Sequence, residues 1–281
     1  VRILRADGTV LGLPPGFTIC DEGEQVAILR KASRTLHNAA RVQLDDLRFR
    51  ISRLKNQGLG PEHAARQAVD EDEQTLASIF RRYQETLRTL QAVDFDDLLL
   101  KAVELLEEHP AARQRWQERF RYIHVDEFQD TNAVQLRLVE LLAGKHGNLC
   151  VVGDDDQSIY GWRGAVAENL LAFERRVPGA ATIALEENYR SVGTVLEAAN
   201  ALIAQNAKRH AKTLWSRRGP GERIRVLAAE EQQEEAGHIV AEIKTRLMAG
   251  DGRPADHAVI LRTNAQTRPF EEELRAAQIP Y

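Results

Sequence analysis

Long apolar runs are absent from these 281 residues. No stretch approaches the roughly 20 residues that span a bilayer, and no signal segment opens the chain. Cysteine is scarce: only Cys20 and Cys150 occur, without metal-type spacing, and Cys150 lies inside an apolar run. A reduced, cytoplasmic protein is the expectation. A basic excess is missing too. The net charge is −4, so no global field draws the chain onto nucleic acid, and any such binding must come from local grooves. Methionine occurs once, at Met248, and the chain opens Val1-Arg2-Ile3 without an initiator. Initiator removal would also expose Val1; the expectation taken here is a piece of a longer polypeptide. What remains is ordinary globular material, 43% hydrophobic and 28% charged, with length for two domains.

The first third reads as helical, with no clear strand pattern. Asp21 and Glu24 form a capping box ahead of Val26, Ile28 and Leu29. Leu44, Leu47, Ile51 and Leu54 recur at helical spacing. Gly60-Pro61 opens a third helix with proline at its first position, and Ala65, Val69, Leu76, Ile79, Phe80, Tyr83 and Leu87 carry it to about Leu90. From Asp94 the pattern alternates. Helices are expected over 98–106, 134–142, 166–173, 195–203, 239–247 and 270–276. Strands are expected over 122–125, 149–152, 182–185, 224–228 and 258–261. Such alternation argues for an α/β fold with a parallel sheet and crossover helices. The expected boundary within this half lies at Glu186–Glu187.

The chemistry concentrates where apolar strands end. Tyr122-Ile123-His124-Val125 runs into Asp126-Glu127-Phe128-Gln129-Asp130-Thr131-Asn132. At a strand end, one carboxylate can hold Mg²⁺ while its neighbour orients and deprotonates a water. The next strand ends in Gly153-Asp154-Asp155-Asp156-Gln157-Ser158-Ile159-Tyr160-Gly161-Trp162-Arg163-Gly164-Ala165. The neutral amide of Gln157 both donates and accepts, which suits it to sense a γ-phosphate. Tyr160, Trp162 and Arg163 suit stacking on single-stranded bases; alone they would read as anchors of a turn. After the third strand, Asn188-Tyr189-Arg190-Ser191 presents Arg190 to a phosphate and Tyr189 to a base or an adenine ring. The bland alternative is Arg190 paired with Glu186 or Glu187 at a surface.

Together and in this order, these runs closely resemble the UvrD/PcrA/Rep group of superfamily 1 DNA helicases. Residues 126–132 are similar to its Walker B motif, 153–165 to its third motif and 188–191 to its fourth. Phe95-Asp96-Asp97-Leu98 and Arg262-Thr263-Asn264-Ala265-Gln266-Thr267-Arg268 match two further family elements. The resemblance implies parallel-sheet RecA-like motor portions with an all-helical inserted subdomain. Residues 1–92 would be that insertion, 93–186 the latter part of a first motor domain, and 187–281 the start of a second. It implies ATP and Mg²⁺ as cofactors, with Asp126 on the metal and Glu127 activating water. Gln157 would contact the γ-phosphate, Tyr189 would stack on adenine, and Arg190 would be the arginine finger. Tyr160, Trp162, Arg163, Arg262 and Asn264 would meet DNA. Gly161 departs from the pattern, since relatives often carry a larger or charged residue there. The implied activity is 3′→5′ movement on single-stranded DNA and unwinding at single-strand/duplex junctions, in repair or replication.

One family element has no counterpart. No Gly-x-x-x-x-Gly-Lys-Ser/Thr phosphate loop occurs; Gly144-Lys145-His146 lacks the hydroxyl residue and the upstream glycine. The expectation is a motor's middle section that is inactive alone. Two other readings stay open: a non-catalytic single-strand or protein-binding module, and the motor part of a helicase–nuclease.

Overall fold

The computed structural model describes residues 1–34 and 43–281. They form two compact units, Val1–Glu186 with Ile203–Thr213, and Glu187–Leu202 with Leu214–Tyr281.

In the first unit, α1 (Arg2–Asp7) precedes strand β1 (Thr18–Ile19), followed by α2 (Glu22–Ser33), α3 (Leu44–Asn56), α4 (Pro61–Gln67) and α5 (Glu71–Thr89). The capping box that opens α2 is formed in both directions, with Glu24 N to Asp21 Oδ1 at 2.8 Å and Asp21 N to Glu24 Oε2 at 3.0 Å. The single helix expected from Pro61 to Leu90 is two helices. Asp70 caps the Glu73 amide at 2.8 Å, and Val69, counted on the apolar face, is exposed in the break. An aspartate at such a point gains more as a cap than inside a helix. Helices α2, α3 and α5 share one core around Leu29, Leu47, Ile51, Ile79, Phe80 and Tyr83.

Strand β2 (Ala92–Val93) pairs in parallel with β1. This ladder was not expected, because strands of two residues carry no readable alternation. Next come α6 (Phe95–Glu108) and α7 (Pro110–Arg119). A second core joins Leu4 of α1, Phe17, Val93 and Leu105 of α6. Strand β3 (Ile123–Val125), α8 (Ala133–Ala143) and strand β4 (Leu149–Val151) follow as expected. The two strands pair in parallel, with Ile123 opposite Leu149 and Val125 opposite Val151. The helix expected over 166–173 is instead two four-residue turns of helix, α9 (Glu168–Leu171) and α10 (Phe173–Arg176), separated at Ala172.

The second unit holds α11 (Gly193–Ile203, whose last residue belongs to the first unit), α12 (Gln232–Met248) and α13 (Thr267–Ala276). The strands expected over 182–185, 224–228 and 258–261 form no ladder among the described residues. Ile183, Leu185, Val226 and Ile260 are exposed. A strand exists only through a neighbour's backbone, and the sole isolated bridge among the described residues is parallel, Glu187 to Trp215. The class is therefore α/β, helices with small parallel sheets. No helix among the described residues is long and apolar enough to cross a membrane.

Candidate functional site

Parallel pairing of β3 and β4 puts both strand tips at one edge. The ladder runs on past the strands: Val152 N donates to Val125 O at 2.8 Å, and Phe128 N to Val152 O at 2.9 Å. Between those bonds lie Asp126 and Glu127, both exposed. Glu127 takes a left-handed backbone, φ 50° and ψ 45°, which costs a non-glycine residue about 1–2 kcal/mol. The turn is held by Glu127 N to Asp126 Oδ1 at 2.9 Å and Asp130 N to Glu127 O at 2.9 Å.

Gln157 is exposed in the short turn after β4. Its amide Nε2 donates to Asp154 Oδ2 at 2.7 Å. Asp154, Asp155 and Asp156 are gripped in turn by the 203–213 segment. Lys212 Nζ lies 2.7, 2.6 and 3.1 Å from carboxylate oxygens of the three. Burial disfavours the charge on Lys212, but these carboxylates outweigh it and hold its pKa above the ordinary lysine value. Asp155 is held below the usual carboxylate range: burial opposes ionisation, and hydrogen bonds from Lys212 and the His210 amide overcome it.

Tyr160, Trp162 and Arg163 sit together on an exposed turn. Their rings are 6.4 Å apart, and the Arg163 guanidinium lies 4.9 Å from the Tyr160 centroid and 4.6 Å from that of Trp162. Trp162 is 53% exposed, so it is not the buried anchor that the bland alternative requires.

In the second unit, Asn188 Oδ1 accepts from Arg190 N at 3.0 Å and Ser191 N at 2.7 Å, an Asx turn that presents residues 189 and 190. Arg218 donates to the Arg190 carbonyl at 2.5 Å. The Arg190 guanidinium itself has no hydrogen bond or ion pair among the described residues. The expected bland partner, Glu187, instead accepts from Tyr189 OH at 3.1 Å and pairs with Arg217 at 2.9 Å. That bond to Glu187 raises the Tyr189 phenol above its ordinary value. Arg262 and Asn264 are exposed at the lead-in to α13, where Gln266 Oε1 accepts the Arg262 and Thr263 amides at 3.1 and 3.0 Å.

A family model for the UvrD/REP helicase N-terminal domain matches residues 1–178, and one for the UvrD-like helicase C-terminal domain matches residues 183–281. The chain belongs to the UvrD/REP helicase family. Among its relatives are proteins named ATP-dependent DNA helicase PcrA from Staphylococcus epidermidis and Staphylococcus aureus, 42% identical over 288 and 283 residues. Each alignment takes in 100% of this chain and 38% of the relative. The chain thus spans well under half the length of the curated relatives it matches.

Family membership implies a nucleotide and its magnesium, and the acidic tip fits such an ion. Asp126 Oδ1 accepts the Glu127 amide, while its second oxygen takes no hydrogen bond among the described residues. Asp130 Oδ1 is buried with no partner, and loss of hydration, with Glu127 nearby, raises the Asp130 pKa above the usual carboxylate value. Oxygen donors suit a hard cation. Among the described residues no group of three or more His, Cys, Asp or Glu side chains could hold a metal unaided.

Sequence reasoning in this UvrD/REP chain passed over a buried polar network behind the tip. Lys55 is buried against Asp94 at 2.6 Å and Asp97 at 2.8 Å, and Tyr83 OH donates to Asp94 at 2.8 Å. Next to it, Asn56 Nδ2 donates to Asp96 Oδ1 at 3.2 Å, and Asn132 Nδ2 donates to Asn56 Oδ1 at 2.5 Å. Gly164, at φ +88°, would press an added Cβ to 3.3 Å from the Asn56 Cβ. One side chain on α3 therefore meets both chemical runs, its amide at Asn132 and its Cβ beneath Gly164. Lysine and asparagine on a helix gave no signal; Phe95-Asp96-Asp97-Leu98 was the available clue.

Proposed function

We propose that this chain is the central part of an ATP-driven DNA helicase that moves 3′→5′ on single-stranded DNA and opens duplexes at junctions, in repair or replication. On this reading residues 1–92 are a helical insertion. Residues 93–186 and 187–281 belong to two RecA-like motor domains. Glu127 orients the attacking water and takes its proton as the water oxygen bonds the γ-phosphorus and the bond to the ADP oxygen breaks. Asp126 would hold magnesium, which neutralises phosphate charge when bound with ATP. Gln157 contacts the γ-phosphate, Arg190 neutralises charge on the transferred group, and Tyr189 stacks on adenine. Tyr160 and Trp162 stack on bases beside Arg163, with Arg262 and Asn264 as further DNA contacts. Without a Gly-x-x-x-x-Gly-Lys-Ser/Thr loop, the 281-residue chain alone turns over no ATP.

The observation that carries the reading is the strained Glu127 turn at the tip of β3, beside the β4 tip that leads into Gln157. Local backbone strain of this kind concentrates at functional sites. The deciding experiment is Glu127→Gln in the full-length protein. Nucleotide binding should persist while hydrolysis falls by orders of magnitude. Near-normal turnover would remove Glu127 from the base role and favour a binding module.

A further inference from the structure

The side chain between the two strand tips is Gln129, and it is 1% exposed. Both ends of its amide are engaged. Nε2 donates to Glu127 Oε2 at 2.8 Å, and Oε1 accepts from Asp154 N at 2.9 Å. A carboxylate only accepts and a backbone N–H only donates, so the chemistry of the partners fixes which way the amide points. Asp154 continues the line, accepting from Gln157 at 2.7 Å. Glu127, Gln129, Asp154 and Gln157 thus form one unbroken chain of hydrogen bonds across the two tips.

Room for this amide is made by Gly153. A Cβ there would stand 2.7 Å from Gln129 Oε1, 3.1 Å from Leu170 Cδ2 and 3.3 Å from Gln129 N. The absence of a side chain at the end of β4 lets the amide reach the Asp154 backbone. A glutamate at 129 would fill the same space but could not donate to Glu127, and would set one carboxylate against another.

We propose that Gln129 is a positioning residue for ATP hydrolysis. It holds the Glu127 carboxylate in its working orientation and ties it to the loop that carries Gln157. The proposal rests on the assignment of Glu127 as the base. Gln129 touches neither nucleotide nor DNA in this scheme, and its effect on the rate runs through Glu127.

The test uses the full-length protein with single-stranded DNA and ATP. Gln129→Met keeps the bulk and removes both hydrogen bonds; Gln129→Glu keeps the shape and removes the donor. Each should lower kcat by about ten- to a hundredfold, the scale on which losing the partner that orients a metal ligand lowers activity. The KM for ATP and binding of a non-hydrolysable analogue should change little. In a Glu127→Gln background neither substitution should lower the residual rate further, because residues acting as one unit are non-additive. Wild-type kcat in both variants, with Glu127→Gln inactive, overturns this proposal and leaves the base assignment standing. So does a loss that repeats in full on Glu127→Gln, or one confined to analogue binding. If Gln129→Met fails to fold, Gln129→Glu decides. Normal turnover by Glu127→Gln would instead overturn the base assignment, and this inference with it.

Discussion

Arg209 holds Asp156 in a two-pronged grip, Nε to Oδ1 at 2.8 Å and a terminal nitrogen to Oδ2 at 2.7 Å. The bond from Arg209 is the first cause of the Asp156 carboxyl lying below the usual carboxylate range, with burial opposing and Lys212 assisting. A carboxyl depressed in the folded state contributes stability above its unfolded value, about pH 4. That contribution is lost as pH falls through the lower folded value. Asp156→Asn should therefore lower Tm at neutral pH and flatten the acid limb of a plot of Tm against pH, the two proteins converging in acid. An unchanged acid limb would mean that the grip contributes nothing to folding.

Lys55 presents the opposite case, a cation with no exposed side-chain surface between two carboxylates that are 3% and 4% exposed. Lys55→Met leaves Asp94 and Asp97 buried without their counter-charge. Breaking a buried pair from one side costs about 3–5 kcal/mol. Chemical denaturation should show a loss of that size, and a change below about 1 kcal/mol, the level of an exposed pair, would contradict the burial seen here.

For DNA, the exposed indole of Trp162 is the most telling position. Trp162→Ala should weaken single-strand binding by about 1–3 kcal/mol for each base it stacks on. Fluorescence anisotropy with an oligonucleotide, on the full-length protein, reads this directly. Unchanged affinity would leave the ring with no role beyond its contact to Arg163.

Legibility in the sequence followed the range of the interactions. The capping box at Asp21 and Glu24 spans three residues, and β3 and β4 each alternate beside a turn, so these could be read locally. The break between α4 and α5 was missed because the apolar spacing continues through it, while Asp70 acts through a single hydrogen bond. The runs at 182–185, 224–228 and 258–261 show strand-like sequence, yet pairing depends on a neighbour that composition cannot name. Residues 126, 127 and 157 drew notice as chemical types at strand ends. The pairs in the polar network that sequence reasoning passed over lie far apart in sequence, 39 positions for Lys55 with Asp94 and 76 for Asn56 with Asn132. No periodicity connects them.

The amide at position 56 sets a limit on redesign. Helix α3 shares a core with α2 and α5, with Leu47, Ile51 and Lys55 buried, so a slimmed-down variant without it would lose that core first. Cutting it away would strip Asn132 of its acceptor and uncover the underside of Gly164. Any smaller version must therefore graft a replacement amide onto whatever is built in its place.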